Sequence, residues 1–228
     1  SSDIADEKLH AILEAWNGAE CGAEAIVQTL FGENDPAGRL PVSVAYKSGQ
    51  IPIYYNHPWG SAESQSGSIG FANYVDMSHS PRYPFGHGLS YAEFYYRDLH
   101  IENREVDTMG DIVCSFFLKN VSDCAGDEVV QIYVSDRFAS RTRPVMELAA
   151  FDRIPLQPHE EKEIICHISP SQLAFLDKDM KWKIEKGDID LLIGASSKDI
   201  RLKDSIRITE NAWIDGRDRS FYGKVEVK

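Results

Sequence analysis

The sequence predicts a mainly β fold with a β-sandwich in the second half of the chain. Its 228 residues fit one large domain or two small ones. With 43% hydrophobic and 26% charged residues, the composition is typical of a globular protein and excludes disorder as the main state. The composition also changes near residue 94: Gly, Pro, Ser and aromatic residues dominate before it, and short apolar runs between turn residues follow it.

The first elements are a short apolar run and a helix. Residues 9–16 have apolar side chains at helical spacing, but so short a run also fits a buried strand. Residues 23–31 have a clear helical pattern, and Gly32 is suited to end the helix as its C-cap. The apolar face of this helix is expected to consist of Ala23, Ile26, Val27 and Leu30.

Residues 56–90 have little periodicity and read as a long loop. Such a loop is unusual in a compact domain, so it is either functional or lies against something that this chain lacks. Aromatic side chains are dense here, and they can stack on sugar rings, on another domain or on the loop itself. They are Tyr54, Tyr55, Trp59, Phe71, Tyr74, Tyr83, Phe85 and Tyr91.

The second half predicts seven short strands separated by turn residues such as Lys186-Gly187-Asp188. Alternating apolar strands in about 100 residues are typical of an immunoglobulin-like or fibronectin-like sandwich. The tail after Glu210 has scattered aromatics and is expected to pack on a surface or to fray. The predicted strands span residues 112–119, 129–134, 145–154, 163–168, 181–185, 189–193 and 200–208.

The net charge of −12 argues against two classes of partner. Nucleic-acid binding depends on Lys and Arg neutralising phosphates, so neither nucleic acid nor an anionic membrane is an expected partner. No apolar stretch approaches the roughly 18 residues of a membrane span. The polar and acidic start of the chain does not resemble a signal peptide, so a cytoplasmic location is favoured over a secreted one, although this start is not expected to be the native N-terminus.

The four cysteines lack the close spacing of a zinc site or a redox motif. Cys114 and Cys166 lie in apolar strand patterns and are interpreted as small core residues. A disulfide between them is left open by the sequence. The cysteines therefore give no sign of an oxidising compartment.

Patterns for other chemistries are weak. Gly86-His87-Gly88-Leu89-Ser90 lacks the strand-to-helix context of a nucleophilic serine, and His87 is interpreted as a packed turn residue. The acidic cluster at residues 33–35 lacks the alternating ligands of a calcium loop. No metal or cofactor is therefore expected. Asp76, inside the aromatic loop, is the one acid with non-trivial surroundings, and turn capping or Arg pairing is favoured over catalysis there.

Several motifs together resemble one family. Residues 18–22 (GAECG) and 31–42 (FGENDPAGRLPV) are similar to the end of the second domain of glycoside hydrolase family 3. Residues 53–57 (IYYNH), 74–76 (YVD) and 83–91 (YPFGHGLSY) match further motifs of that family. Downstream, residues 134–136, 143–148 and Phe151 resemble the fibronectin type III-like domain that follows. The chain departs from the pattern at Asn17, Cys21 and His87.

The resemblance implies a domain division. Residues 1–93 would be the C-terminal remnant of an α/β-sandwich domain with linker loops, residues 94–210 a fibronectin type III-like domain, and residues 211–228 a tail. Residues 11–16 would be a late strand of the α/β sandwich rather than a helix. The irregular stretch at 56–90 would wrap around neighbouring domains.

The resemblance also implies a function for the parent enzyme rather than for this piece. Family members use an Asp nucleophile from an N-terminal barrel and a Glu acid/base upstream of the motifs present here, so no catalytic residue is expected in this chain. The parent would be a retaining β-glucosidase or β-xylosidase acting on oligosaccharides or glycosides. The expected partners are the barrel and the front of the α/β-sandwich domain.

Three residues are candidates for the rim of the aglycone part of the sugar site: Asn56, His57 and Trp59. Polar side chains next to an exposed aromatic ring can contact the hydroxyl groups along the edge of a sugar. The alternative is that these residues pack against another domain. A different function, a stand-alone carbohydrate-binding or adhesion module, would need an aromatic row on one sheet face. The strands offer Phe117, Tyr133 and Trp182 on no evident common face. A pure interaction domain is a third reading, and exposed loop aromatics would favour a homodimer.

Overall fold

The computed structural model describes residues 8–59 and 78–228. Its first half contains one regular helix among the described residues, α1 (Gly22–Leu30), and a short 3-10 helix at Ser48–Gln50. The strands that follow are β1 (Phe94–Ile101), β2 (Glu105–Val106), β3 (Ile112–Asn120), β4 (Gly126–Asp136), β5 (Glu147–Leu156), β6 (Glu161–Ile168), β7 (Phe175–Leu176), β8 (Trp182–Ile184), β9 (Gly187–Gly194), β10 (Ile200–Ile208), β11 (Ala212–Ile214) and β12 (Lys224–Val227).

These strands form three sheets within the described residues. One sheet has the order β1-β3-β6-β12, the second β2-β10-β9-β4-β5, and the third β11-β8-β7. All neighbours are antiparallel except β2 and β10, which run parallel. The first two sheets pack face to face as the two layers of a sandwich.

The core of the sandwich follows from the alternation in the sequence. In a strand, every second side chain points to the same face. Along β3 the inward residues Ile112, Cys114, Phe116 and Leu118 are fully buried, and Ile164, Cys166 and Ile168 continue this face on β6. Each fully buried Ile, Leu or Phe side chain contributes about 1.5–3 kcal/mol. The predicted mainly β fold class is confirmed, and a strand occurs at each of the seven predicted positions.

The sequence missed several strands because their patterns are short or interrupted. In β1 the register shifts between Arg97 and His100, and Asp98 has a positive φ of 55°. Such a bulge breaks strict alternation. Of the two expectations for the tail after Glu210, packing on a surface and fraying, the structure shows packing, through strands that the sequence pattern does not predict. Strand β11 pairs with β8, and β12 pairs with β6 as an edge strand. The domain boundaries themselves remain a prediction.

One expectation for the first half is wrong, and one apolar face is left uncovered. Residues 11–16 form no strand, because none of the described strands lies beside them to accept their hydrogen bonds. The helix α1 forms where predicted and ends before Gly32, whose φ is +77°. Its predicted apolar face, however, is not buried: Val27 and Leu30 are exposed, and Thr29 packs inward instead. None of the described helices is long and apolar enough to cross a membrane.

Candidate functional site

The first half of the chain is fastened to the sandwich by a buried ion pair. Arg39, in the segment after α1, donates from Nη2 to Oε2 of Glu128 on β4 at 2.9 Å. Tyr96 on β1 donates to the other carboxylate oxygen at 2.8 Å. The side chains of Arg39 and Glu128 are only 7% and 3% exposed. Burial raises the pKa of Glu128, although Arg39 and the Tyr96 hydrogen bond oppose that shift.

Asp35 makes a second link between the two halves. Its carboxylate accepts hydrogen bonds from the Ser90 hydroxyl at 2.7 and 2.8 Å and from the backbone N–H of Tyr91 at 2.9 Å. The backbone N–H of Asp127, at the start of β4, donates to it at 3.1 Å. Because one carboxylate gathers donors from residues 90–91 and from β4, it fixes the entry of the chain into the sandwich.

The segment at residues 83–91 is held against the sandwich at Gly86. Gly86 has a φ of +80°, and a side chain there would collide with the amide of Gln131 on β4. Gln131 donates to the carbonyls of Gly86 at 3.1 Å and Ala195 at 2.6 Å, and accepts from the Tyr133 hydroxyl at 2.6 Å. This position therefore requires glycine both for its backbone angle and for the close approach.

His87 packs beside the ion pair rather than acting as a ligand. Its ring stacks on Tyr83 with centroids 5.3 Å apart. Burial and, to a smaller extent, the nearby charge of Arg39 lower the pKa of His87, while Asp199 opposes this shift. A neutral imidazole is the form that this position favours.

The three rim candidates lie on one segment that runs along the sandwich. Val145 N donates to the His57 carbonyl at 2.9 Å, and Pro58 forms a bridge with Pro144. Asn56 is exposed and His57 is half-buried. The Trp59 ring is 40% exposed, with the guanidinium carbon of Arg137 at 5.9 Å from its centroid.

Tyr55 attaches this segment to the sandwich. Its ring stacks on Phe85 with centroids 4.1 Å apart and meets the buried Tyr133 edge-on at 5.9 Å. Its hydroxyl accepts a hydrogen bond from Leu148 N at 3.2 Å. Burial raises the pKa of Tyr55, so this phenol stays protonated at neutral pH. The rim candidates therefore directly follow a tyrosine that is packed against two aromatic rings.

A small cleft of about 40 Å³ lies beside the same segment. It brings His57 together with residues from the sandwich, and partial burial lowers the pKa of Lys198 at its edge. Neither Asn56 nor Trp59 lines it. The lining consists of Ser43, Ile53, Tyr54, Tyr55, His57, Pro81, Val145, Met146, Ser197 and Lys198.

The remaining candidates fall into different places. Asp76 lies outside the described residues. In the part of the chain that the structure describes, no group of three His, Cys, Asp or Glu side chains could hold a metal ion. Tyr133 is fully buried, while Arg97 covers Phe117 and Arg219 covers Trp182, so these three aromatics form no binding row.

Sequence reasoning missed the residues that join the two halves. Arg39 belongs to the motif at residues 31–42 and Glu128 to an alternating strand, and nothing local marks them as partners 89 positions apart. The one available signal was an acid, Glu128, at an inward position of a strand, since a buried carboxylate needs a partner.

Comparisons with known proteins place both halves of the chain. Residues 1–91 match the model of the glycosyl hydrolase family 3 C-terminal domain, and residues 128–197 match that of the fibronectin type III-like domain. The thermostable beta-glucosidase B of Acetivibrio thermocellus is 36% identical over 92% of this chain and 28% of its own length. A putative beta-xylosidase of Formosa agariphila is 37% identical over 86% of this chain and 25% of its own length.

Solved structures agree with these relatives. The crystal structure of beta-glucosidase from Listeria innocua has a TM-score of 0.77 and 33% identity. The match covers 84% of this chain and 26% of that one. The chain thus spans about a quarter of the length of the proteins that it matches.

Proposed function

Because the chain belongs to glycosyl hydrolase family 3, of which it carries the C-terminal part, we propose that it is the non-catalytic portion of a retaining glycosidase. The parent enzyme removes terminal β-linked glucose or xylose from oligosaccharides or glycosides, as the names of its relatives suggest. This portion serves as a scaffold and as a docking surface for the upstream domains.

The observation that supports docking is the apolar surface of the first half. Trp16 is 67% exposed and Phe31 80% exposed, and Leu9, Leu13 and Leu30 are exposed as well. So many exposed large apolar side chains in one part of the chain favour an interaction surface. The occupant we propose is the upstream part of the same enzyme, namely the barrel and the front of the α/β-sandwich domain.

Reconstitution tests this docking role. The chain and the upstream part of the enzyme are produced separately, mixed, and assayed with aryl β-glucosides and β-xylosides. The mixture is expected to hydrolyse one of these substrates, and the chain alone is expected to be inactive. Phe31→Ser should weaken reconstitution, whereas Met109→Ser, at a 92% exposed turn position of the sandwich, should leave it unchanged. Turnover by the pure chain that one acidic substitution abolishes would refute the proposal.

Asn56, His57 and Trp59 are proposed as the rim of the sugar site in the parent enzyme. The support is a half-exposed indole with polar side chains on the same rigid segment. In the whole enzyme, Trp59→Ala should raise KM for an oligosaccharide more than for a small aryl glycoside, with kcat unchanged. Tyr54→Ala, at another exposed ring nearby, is the matched control. Equal effects of both variants would assign this segment to domain packing instead.

The exposed aromatics also support a homodimer of the isolated chain through surfaces that the parent enzyme covers. Light scattering tests this directly, with a dimer expected for the wild-type chain and weaker association for Phe31→Ser. A monomer across the accessible concentration range would contradict the proposal.

A further inference from the structure

Two buried thiols face each other inside the sandwich. Cys114 on β3 is the direct cross-strand partner of Cys166 on β6. Both side chains point into the core, where they are essentially inaccessible, and both thiols are free. Their sulfur atoms are in hydrogen-bond contact, which lowers the pKa of Cys114 and raises that of Cys166.

The register of this pair is compatible with a disulfide. Directly opposite residues of antiparallel strands have Cα atoms about 4.5–5.5 Å apart. Disulfides span Cα separations of about 4.4–6.8 Å, a range that includes these values, so the strand register permits a bond between the two sulfurs. The other two cysteines, Cys21 and Cys124, are exposed, and neither has such a partner.

We propose that Cys114 and Cys166 are a modification site that forms a reversible cross-strand disulfide in the sandwich core. The oxidant is a low-molecular-weight disulfide. One cysteine thiolate attacks it and releases one small thiol, and the second cysteine then attacks the mixed disulfide and releases another. Two protein thiols are oxidised, one small disulfide is reduced to two thiols, and the two cysteine protons end on these leaving groups.

Burial determines how this reaction proceeds. Exchange requires a thiolate and access for the oxidant, and the closed sandwich denies that access because both side chains are buried. Oxidation therefore passes through opening of the sheet, or occurs as the chain folds. Once formed, the bond closes a loop of about 50 residues and restricts the unfolded chain, so it stabilises the sandwich. This inference does not depend on the proposed glycosidase function.

The test uses the full chain with Cys21→Ser and Cys124→Ser, so that only the buried pair can react. The protein is refolded from urea in a glutathione redox buffer and brought to equilibrium, and a parallel sample stays unfolded in urea. Mass spectrometry then measures the loss of two hydrogens, and peptide mapping identifies the linked residues. Adding Cys114→Ser to the same background gives a control that cannot close the ring.

The native sample is expected to hold a Cys114–Cys166 disulfide with an equilibrium constant about tenfold or more above that of the unfolded sample. Its thermal midpoint should rise in parallel and return on reduction. An equal or smaller constant in the native sample would mean that the fold opposes the bond, and would overturn the proposal. A refolded protein that carries only glutathione adducts would overturn it as well.

Discussion

Replacing Arg39 by Met should strongly destabilise the chain, because it leaves the Glu128 carboxylate buried without the cation that is hydrogen-bonded to it. The substitution removes a 2.9 Å charge-assisted hydrogen bond, which is typically worth about 1.5–3 kcal/mol. The unpaired carboxylate then adds its desolvation cost. Breaking a buried ion pair from one side therefore costs about 3–5 kcal/mol. Urea unfolding followed by tryptophan fluorescence measures this loss.

A double-mutant cycle separates the ion pair from the packing of its side chains. Glu128→Gln retains an acceptor for the Tyr96 hydroxyl and leaves no buried anion. In the double variant the cost of Arg39→Met should fall to about 1–2 kcal/mol, since no unpaired charge remains. Additive effects of the two substitutions would refute the ion-pair explanation.

The pH dependence gives an independent check with a defined sign. Burial already raises the pKa of Glu128 above 4.5, and the loss of Arg39 removes a charge that lowers it. The folded variant then holds this proton more tightly than the unfolded chain does. The stabilising contribution of this carboxyl is fully present below pH 4.5 and is lost as the pH rises through its folded pKa. The difference from wild type should therefore be smaller in acid than at neutral pH, and a pH-independent difference would contradict the reasoning.

Three further predictions concern the same junction. Burial and Arg39 lower the pKa of His87 in the folded state. The contribution of this residue to the free energy of unfolding should therefore be fully present above pH 6.5, and it should be lost as the pH falls from 6.5 toward the pKa of the folded state. His87→Tyr should abolish this part of the pH profile. Gly86→Ala should cost about 2–4 kcal/mol in urea unfolding because of its positive φ and the collision with the facing side chain, whereas Gly49→Ala, in open space, should cost less than about 1 kcal/mol. Asp35→Ala should cost about 2–3 kcal/mol, and a loss below about 0.5 kcal/mol would show that its donors find other partners.

The sandwich was predictable because its pattern is local. Alternation along residues 112–118 identifies the buried face, and a strand occurs at each predicted position. The helix α1 was predictable for the same reason, since periodicity and a terminal glycine are both contained in a few residues. Burial was less predictable: periodicity identifies an apolar face, but only a neighbour decides whether that face is covered.

The strand expected at residues 11–16 also shows that a local pattern cannot predict whether a neighbouring element is present. A strand exists only when its backbone groups pair with another strand, and none of the described strands lies beside this run. The tail shows the opposite case, because its charged pattern gave no sign that β12 would find an edge at β6.

The sequence by itself therefore determined the fold class and, through the order of its motifs, the family. Both are properties of residues close together in the chain. Only the tertiary structure decided how the halves are joined, by Arg39 with Glu128 and by Asp35 with residues 90, 91 and 127, and that Cys114 faces Cys166. These contacts join residues tens of positions apart, and their energies depend on burial and on distances that exist only after the sheets have packed.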